Sequence, residues 1–132
     1  KNCLITYGTS FLTGGQGKFG SKYPLRTILS NSYRKEPWLA SHLRTFRHDL
    51  WLKINNDDLK DNNGNYFYTA WDLAIMLPML EMANIRQEWI SDILYRYNNE
   101  NPLCDHYINN ESQKLNDEFI RNKTPYQKII LP

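Results

Sequence analysis

The chain has 132 residues, of which 41% are hydrophobic and 14% aromatic, so it is long enough to fold as one domain and too hydrophobic to be disordered. Its 16 basic and 14 acidic residues leave a net charge of +2, which is too balanced to indicate a nucleic-acid-binding protein. No apolar run reaches the roughly 18 residues expected of a membrane-spanning helix, and there is no signal-peptide pattern.

The sequence starts at Lys1 rather than at a methionine, so we expect a cytoplasmic piece of a longer protein. Cys3 and Cys104 are far apart and form no C-x-x-C pair, which gives no indication of a metal site. We expect two buried free thiols, as in a reducing compartment; the alternative is a disulfide between Cys3 and Cys104.

The first predicted element is a strand at residues 2–12, which are rich in β-branched and aromatic side chains. Residues 13–24 contain four glycines and predict a mobile loop. A phosphate-binding loop is not indicated, because the G-x-x-x-x-G-K-[ST] spacing is missing.

Residues 36–54 predict a helix, with Pro37 in the first turn and one apolar face. That face would consist of Leu39, Leu43, Phe46, Leu50 and Ile54. Arg44 and Arg47 would be neighbours on this helix. With His42 and His48 they could hold a diphosphate or an acceptor, or they could form a solvated face. Residues 55–66 follow as a polar surface loop.

The most apolar run follows and predicts a helix at about residues 70–83. Thr69 and Asp72 match a capping box, Pro78 should kink the helix or start a fresh turn, and Asn84 suits a left-handed C-cap. The methionines at helical spacing, which are Met76, Met79 and Met82, are expected in the core. Glu81 falls on nearly the opposite side from Asp72, with Arg86 as a candidate partner.

Residues 88–98 predict a strand with Trp89, Ser91, Ile93, Tyr95 and Tyr97 on one face. A loop at residues 99–110 leads to a final helix with Leu115, Phe119 and Ile120 as its apolar side, and residues 125–132 predict a tail or a short edge strand. This order favours part of an α/β sandwich, with few strands and about three helices. So thin a sheet indicates that a second half is missing.

Four segments, in this order, resemble family 2-type glycosyltransferases of the GT-A fold: "ITYG", "HLRTFRHDLW", "YTAWDLAIMLPMLEMA" and "ILYRYNNENPLCDH". The similarity is greatest to viral and bacterial sugar transferases, and it covers nearly all of the chain. It implies a partial GT-A sandwich, the acceptor-side C-terminal half of a hexosyltransferase. A missing N-terminal half would bind the nucleotide-sugar and present a D-x-D pair to Mn²⁺ or Mg²⁺, and this chain contains no convincing D-x-D.

The resemblance implies that Asp72 is the catalytic base of an inverting transfer to a hydroxyl acceptor. The sequence pattern alone favours a capping role, and the two roles can coexist. A base must open onto a cleft, so a walled-off carboxylate would contradict this interpretation.

The resemblance implies that His106 corresponds to a late histidine that contacts metal or diphosphate in such enzymes. Asp105 could orient its ring. The alternative is that His106 is an ordinary surface-loop histidine. Trp71 could stack on a sugar ring or belong to the core. With Arg44 and His42, these residues form the predicted substrate-binding set. The alternative function is a non-catalytic sugar-binding or assembly module. Its bare sheet edge would favour a homo-oligomer or association with the missing half.

Overall fold

The computed structural model describes residues 2–15 and 17–130 and has a mixed α/β fold, as predicted. The strands in this part of the chain are β1 (Ile5–Leu12), β2 (Gly17–Phe19), β3 (Ser41–Phe46) and β4 (Gln87–Tyr97). The helices are α1 (Leu25–Ser30), α2 (His48–Trp51), α3 (Trp71–Ala83), α4 (Asp105–Ile108) and α5 (Asn110–Asn122). Short 3-10 turns occupy Tyr33–Lys35 and Asn56–Leu59.

Strand β1 is the centre of a mixed sheet. It pairs in parallel with β4 from Ile5 to Leu12, and antiparallel with both β2 and β3. Because β4 follows the whole length of one edge, β2 and β3 must share the other edge, one after the other. Within the described residues β4 pairs with β1 alone, so its outer edge carries no partner strand.

Strand β2 corrects the prediction of a mobile loop at residues 13–24. Its residues Gly17–Phe19 pair with the end of β1, and Gln16 lies outside the described residues. Gly20, just after β2, has a φ of +104°, and a Cβ there would lie 2.6 Å from the carbonyl oxygen of Gly8. The glycines therefore permit a close approach of backbones as well as a turn.

Strand β3 corrects the prediction of a helix at residues 36–54. The expected apolar face is only partly buried, since Leu43 and Phe46 are exposed while Leu50 is buried. Residues 41–46 instead pair with β1, and helix formation is limited to the single turn α2. Pairing with β1 has overridden the local helical spacing, because a short apolar pattern cannot by itself distinguish a helix from a strand.

Helix α3 lies where it was predicted and forms the core. It is buried on almost every side, which is typical of a helix that is apolar all round. The three methionines are in the core, as predicted. Pro78 lies inside one continuous helix, and the C-cap Asn84 has φ 50° and ψ −122°, which is outside the predicted left-handed helical region.

Glu81, on α3, is fully buried and corrects the prediction that it pairs with Arg86. Arg34 donates to both of its carboxylate oxygens, at 2.6 and 2.9 Å, and the backbone N–H of Tyr126 donates at 2.8 Å. Arg86 donates to Asn2 instead. Burial raises the pKa of the Glu81 carboxyl, and Arg34 opposes that rise. The buried pair joins the turn at residues 33–35, helix α3 and the C-terminal segment.

The C-terminal third follows the prediction in its main elements. Strand β4 and helix α5 are confirmed, and residues 124–130 run as a tail. Bulges interrupt the simple alternation of β4, and the one-turn helix α4 lies in the predicted loop. Leu115 is exposed, whereas the sequence predicted it on the apolar, packed side of α5. Cys3 and Cys104 are both free, as expected, but they are only half-buried. Among the described helices, none has the length and apolar character to cross a bilayer.

Candidate functional site

Asp72 lies in the first turn of α3 with its side chain 34% exposed. The predicted capping box is wrong: the N-cap is Ala70, in the left-handed region, and no side chain caps the helix. Thr69 contacts α5 instead, accepting from the Asn116 amide at 2.9 Å. One oxygen of Asp72 accepts from the backbone N–H of Leu73 at 3.0 Å. The carboxylate is therefore oriented by the first helical turn without being used to cap it.

Arg44 holds the other oxygen of Asp72, with Nη1 3.0 Å from Oδ2. Its Nε donates to the Ala40 carbonyl at 3.0 Å, and its guanidinium carbon lies 5.3 Å from the centroid of the Trp38 ring. These contacts fix a side chain that is only 12% exposed. The arginine therefore has one defined position from which it orients the carboxylate.

His42 lies two residues before Arg44 on β3, and both side chains line the same cavity. Its ring stacks on Tyr95 at 4.8 Å and lies 6.2 Å from Tyr97. These tyrosines come from β4, on the far side of β1. Burial, together with the nearby positive charge of Arg44, lowers the pKa of His42, although Asp72 acts in the opposite direction. The ring is therefore mainly neutral at pH 7.

A cleft of about 570 Å³ opens in front of these residues. We call it the Asp72 cleft. Its lining includes Asp72, Arg44, His42, Trp38, Tyr97 and His106. Its volume is typical of a small-molecule site. The cleft thus brings together four residues of the predicted site, Asp72, Arg44, His42 and His106, which are up to about sixty positions apart in the sequence.

Trp71 lies beside Asp72 and faces outward, with 56% of its surface exposed. It lines a smaller cavity together with Asp72, His42 and His106. Trp71 is therefore not a core residue, which was the alternative that the sequence left open. Arg47 and His48 do not line the Asp72 cleft, and Arg47 forms an ion pair with Asp49.

Sequence reasoning missed Trp38, Asn99 and Gln113, which also line the cleft. Asn98 and Asn99 directly follow the end of β4. Polar residues in a loop that begins at a strand end are a usable signal for a site. Trp38 and Gln113 carried no such signal, because their position depends on how distant elements pack.

The side chains in the Asp72 cleft that are of metal-binding type are Asp72, His42 and His106. Asp105 accepts from the Asn109 amide at 3.0 Å, so it has a partner other than the predicted His106. Within residues 2–15 and 17–130, no three His, Cys, Asp or Glu side chains are grouped closely enough to hold a metal ion. In this part of the chain three such side chains do not converge on one point of the Asp72 cleft, and a metal contact by His106 stays a prediction.

No protein-family model, no curated protein and no solved structure matches this chain.

Proposed function

We propose that this chain is the acceptor-side half of an inverting GT-A glycosyltransferase, with Asp72 as its catalytic base. The observation that carries the proposal is the access to Asp72. This carboxylate is oriented on both oxygens, lies at the start of the most buried helix, and faces three adjoining cavities. A base needs both a fixed position and an open path to its substrate.

The electrostatics of the site support this role. The Arg44 guanidinium places a positive charge 3.0 Å from one oxygen of Asp72 and holds that oxygen in one position. An ionised carboxylate has about four lone-pair positions. The described contacts use two of these, one on each oxygen, so an acceptor hydroxyl can still approach.

In the proposed reaction Asp72 takes the proton of the acceptor hydroxyl. The resulting oxygen nucleophile attacks the anomeric carbon of the sugar donor, and the bond from that carbon to the nucleoside diphosphate breaks on the opposite face. Inversion follows from this in-line geometry. Trp71 would stack on the acceptor ring, and His42 and His106 would contact donor or acceptor from the other wall of the cleft.

The donor half would lie against the outer edge of β4. That edge is eleven residues long, and within the described chain no strand pairs with it. A bare edge of this length is normally covered by another strand. The nucleotide-binding groups, the D-x-D pair and the Mn²⁺ or Mg²⁺ of the complete enzyme would belong to that half.

The test is release of nucleoside diphosphate from a panel of UDP- and GDP-sugars. It is carried out with the protein that contains this chain and its donor half. Asp72→Asn should lose turnover by about a hundredfold or more while donor binding, measured by calorimetry with Mn²⁺, is unchanged. Turnover that survives this substitution would remove Asp72 from the base role.

An assembly module is the second candidate, and the unpaired edge of β4 favours it. In this case the isolated chain would self-associate through β4 and bind no nucleotide. Sedimentation of the isolated chain with and without an Ile93→Lys change on β4 tests this candidate: an assembly module should lose its oligomer in the variant, and calorimetry should detect no nucleotide binding in either protein.

A further inference from the structure

A second cavity system adjoins Asp72, and its lining does not include His106. One cavity of about 210 Å³ is lined by Asp72, Arg44, Phe46, Trp51, Trp71 and Ile75, among others. Another of about 340 Å³ shares Trp51, Trp71 and Ile75 with it and extends to Asn56 and Tyr66. We call this continuous surface the aromatic trough.

Two tryptophans flank the trough. Trp71 is 56% exposed and Trp51 is 37% exposed, so a substantial part of each indole surface is accessible to solvent. In the described part of the chain, neither indole N–H has a hydrogen-bond acceptor. Each therefore presents an apolar ring face together with an unused polar donor.

The far end of the trough is polar. The hydroxyl of Tyr66 donates to Asn56 Oδ1 at 2.9 Å, and the amide nitrogen of Asn56 has no acceptor among the described residues. A pyranose ring has matching chemistry, because its C–H face is apolar and its hydroxyls lie around the edge. An alkyl chain would use the ring faces and leave these donors unpaired, which costs free energy.

We infer that the aromatic trough is a subsite for a second and third sugar unit, so that the acceptor is an oligosaccharide or glycan chain and not a lone small hydroxyl compound. The inference rests on the proposed function, since the trough shares Asp72 and Arg44 with the Asp72 cleft and shares Trp71 with the smaller cavity beside it. The sugar that receives the new linkage would sit at Asp72, and its preceding units would stack on Trp71 and Trp51.

Binding of sugars to the 132-residue chain tests this without requiring turnover. The probes are cello-, chito-, malto- and xylo-oligosaccharides of one to four units, with octyl glucoside as the alkyl control, measured by tryptophan fluorescence and calorimetry. At least one series should bind about tenfold or more tightly as the tetrasaccharide than as the monosaccharide.

Trp51→Ala should remove this dependence on chain length and leave monosaccharide binding unchanged. Trp51→Tyr, which keeps a ring face, should restore part of it. Tyr68→Ala is the matched control, since Tyr68 is 77% exposed and lines none of the cavities described here, and it should change nothing.

The inference is overturned if no series shows a gain with length, if Trp51→Ala leaves the gain intact, or if octyl glucoside alone gains affinity from Trp51. Failure of the proposed function looks different. In that case the gain with length would persist in both Asp72→Asn and the original chain, while no nucleotide-sugar would be turned over.

Discussion

Arg44 Nη1 lies 3.0 Å from Asp72 Oδ2 and joins strand β3 to the first turn of α3 across 28 positions of the sequence. The contact depends on β3 pairing with β1 as a strand, since that pairing places Arg44 within reach of the first turn of α3. On the predicted helix, His42 and Arg44 are two positions apart and would have pointed to nearly opposite sides, whereas here both line the Asp72 cleft. The site therefore exists only in the observed fold.

The ion pair should contribute modestly to stability. In a double-mutant cycle with Arg44→Met and Asp72→Asn, we expect a coupling of about 1 kcal/mol in the free energy of unfolding, because the pair is only partly shielded from water. Urea unfolding of the four proteins measures it. A coupling indistinguishable from zero would show that the contact orients Asp72 without stabilising the fold.

Arg44 should affect turnover more than stability. Arg44→Lys cannot hold both the Ala40 carbonyl and Asp72 in the same planar arrangement, so kcat should fall roughly ten- to hundredfold with a smaller change in KM. Arg47→Lys is the matched control, because Arg47 pairs with Asp49 outside the cleft. Equal losses in the two variants would contradict a positioning role for Arg44.

Glu81 should be essential for stability. In Glu81→Gln the buried guanidinium of Arg34, which is 6% exposed, loses its counter-charge, and we expect a loss of about 3–5 kcal/mol in the free energy of unfolding. Glu118→Gln, at an exposed position of α5, is the control and should change it by less than about 0.5 kcal/mol. Similar values for the two variants would mean that the Arg34–Glu81 pair is not formed.

Gly8 should tolerate no side chain. A Cβ at this position would lie 2.6 Å from the carbonyl oxygen of His42 and 2.8 Å from the Leu43 nitrogen, and backbone atoms cannot swing away. We expect Gly8→Ala to cost about 1–3 kcal/mol of stability by forcing β3 away from β1. Gly14→Ala, whose Cβ would meet only side-chain atoms at 3.1 Å or more, should cost less. The reverse order would argue against the close approach of β1 and β3.

His42 should make stability depend on pH. Its pKa is lowered in the folded protein, chiefly by burial, so the unfolded chain binds a proton more readily. The resulting contribution is complete above the ordinary pKa of about 6.5 and is lost as the pH falls through the lowered value. Urea unfolding at about pH 7.5 and about pH 5 should therefore show a smaller loss in His42→Gln than in the original chain. An identical loss would exclude His42 as the group responsible.

The predictions that succeeded are those that rest on local pattern. Residues 71–83 contain good helix formers that are apolar on every side, so both the helix and its burial were readable. The acid at position 72 could likewise be placed in the first helical turn. Strand β4 was recognised from the alternation of its side chains, although the bulges that interrupt it were not.

The failures have a common cause in long-range pairing. Apolar spacing at residues 36–54 fits a helix, yet the free edge of β1 was available for Ser41–Phe46, and nothing in the local sequence records that edge. The partner of Glu81 is 47 positions away, and helical spacing pointed instead to a nearby arginine.

The sequence by itself therefore determined the helix that carries Asp72, the existence of strand β1, and the methionine core, because each depends on side chains a few positions apart. Only the tertiary structure decided that His42, Arg44, His106 and Asp72 face one cleft and that Trp51 and Trp71 flank a trough beside it. These arrangements depend on which strand edges pair and how α3 packs on the sheet, and the free energy of such contacts is set by distance in space and not by distance along the chain.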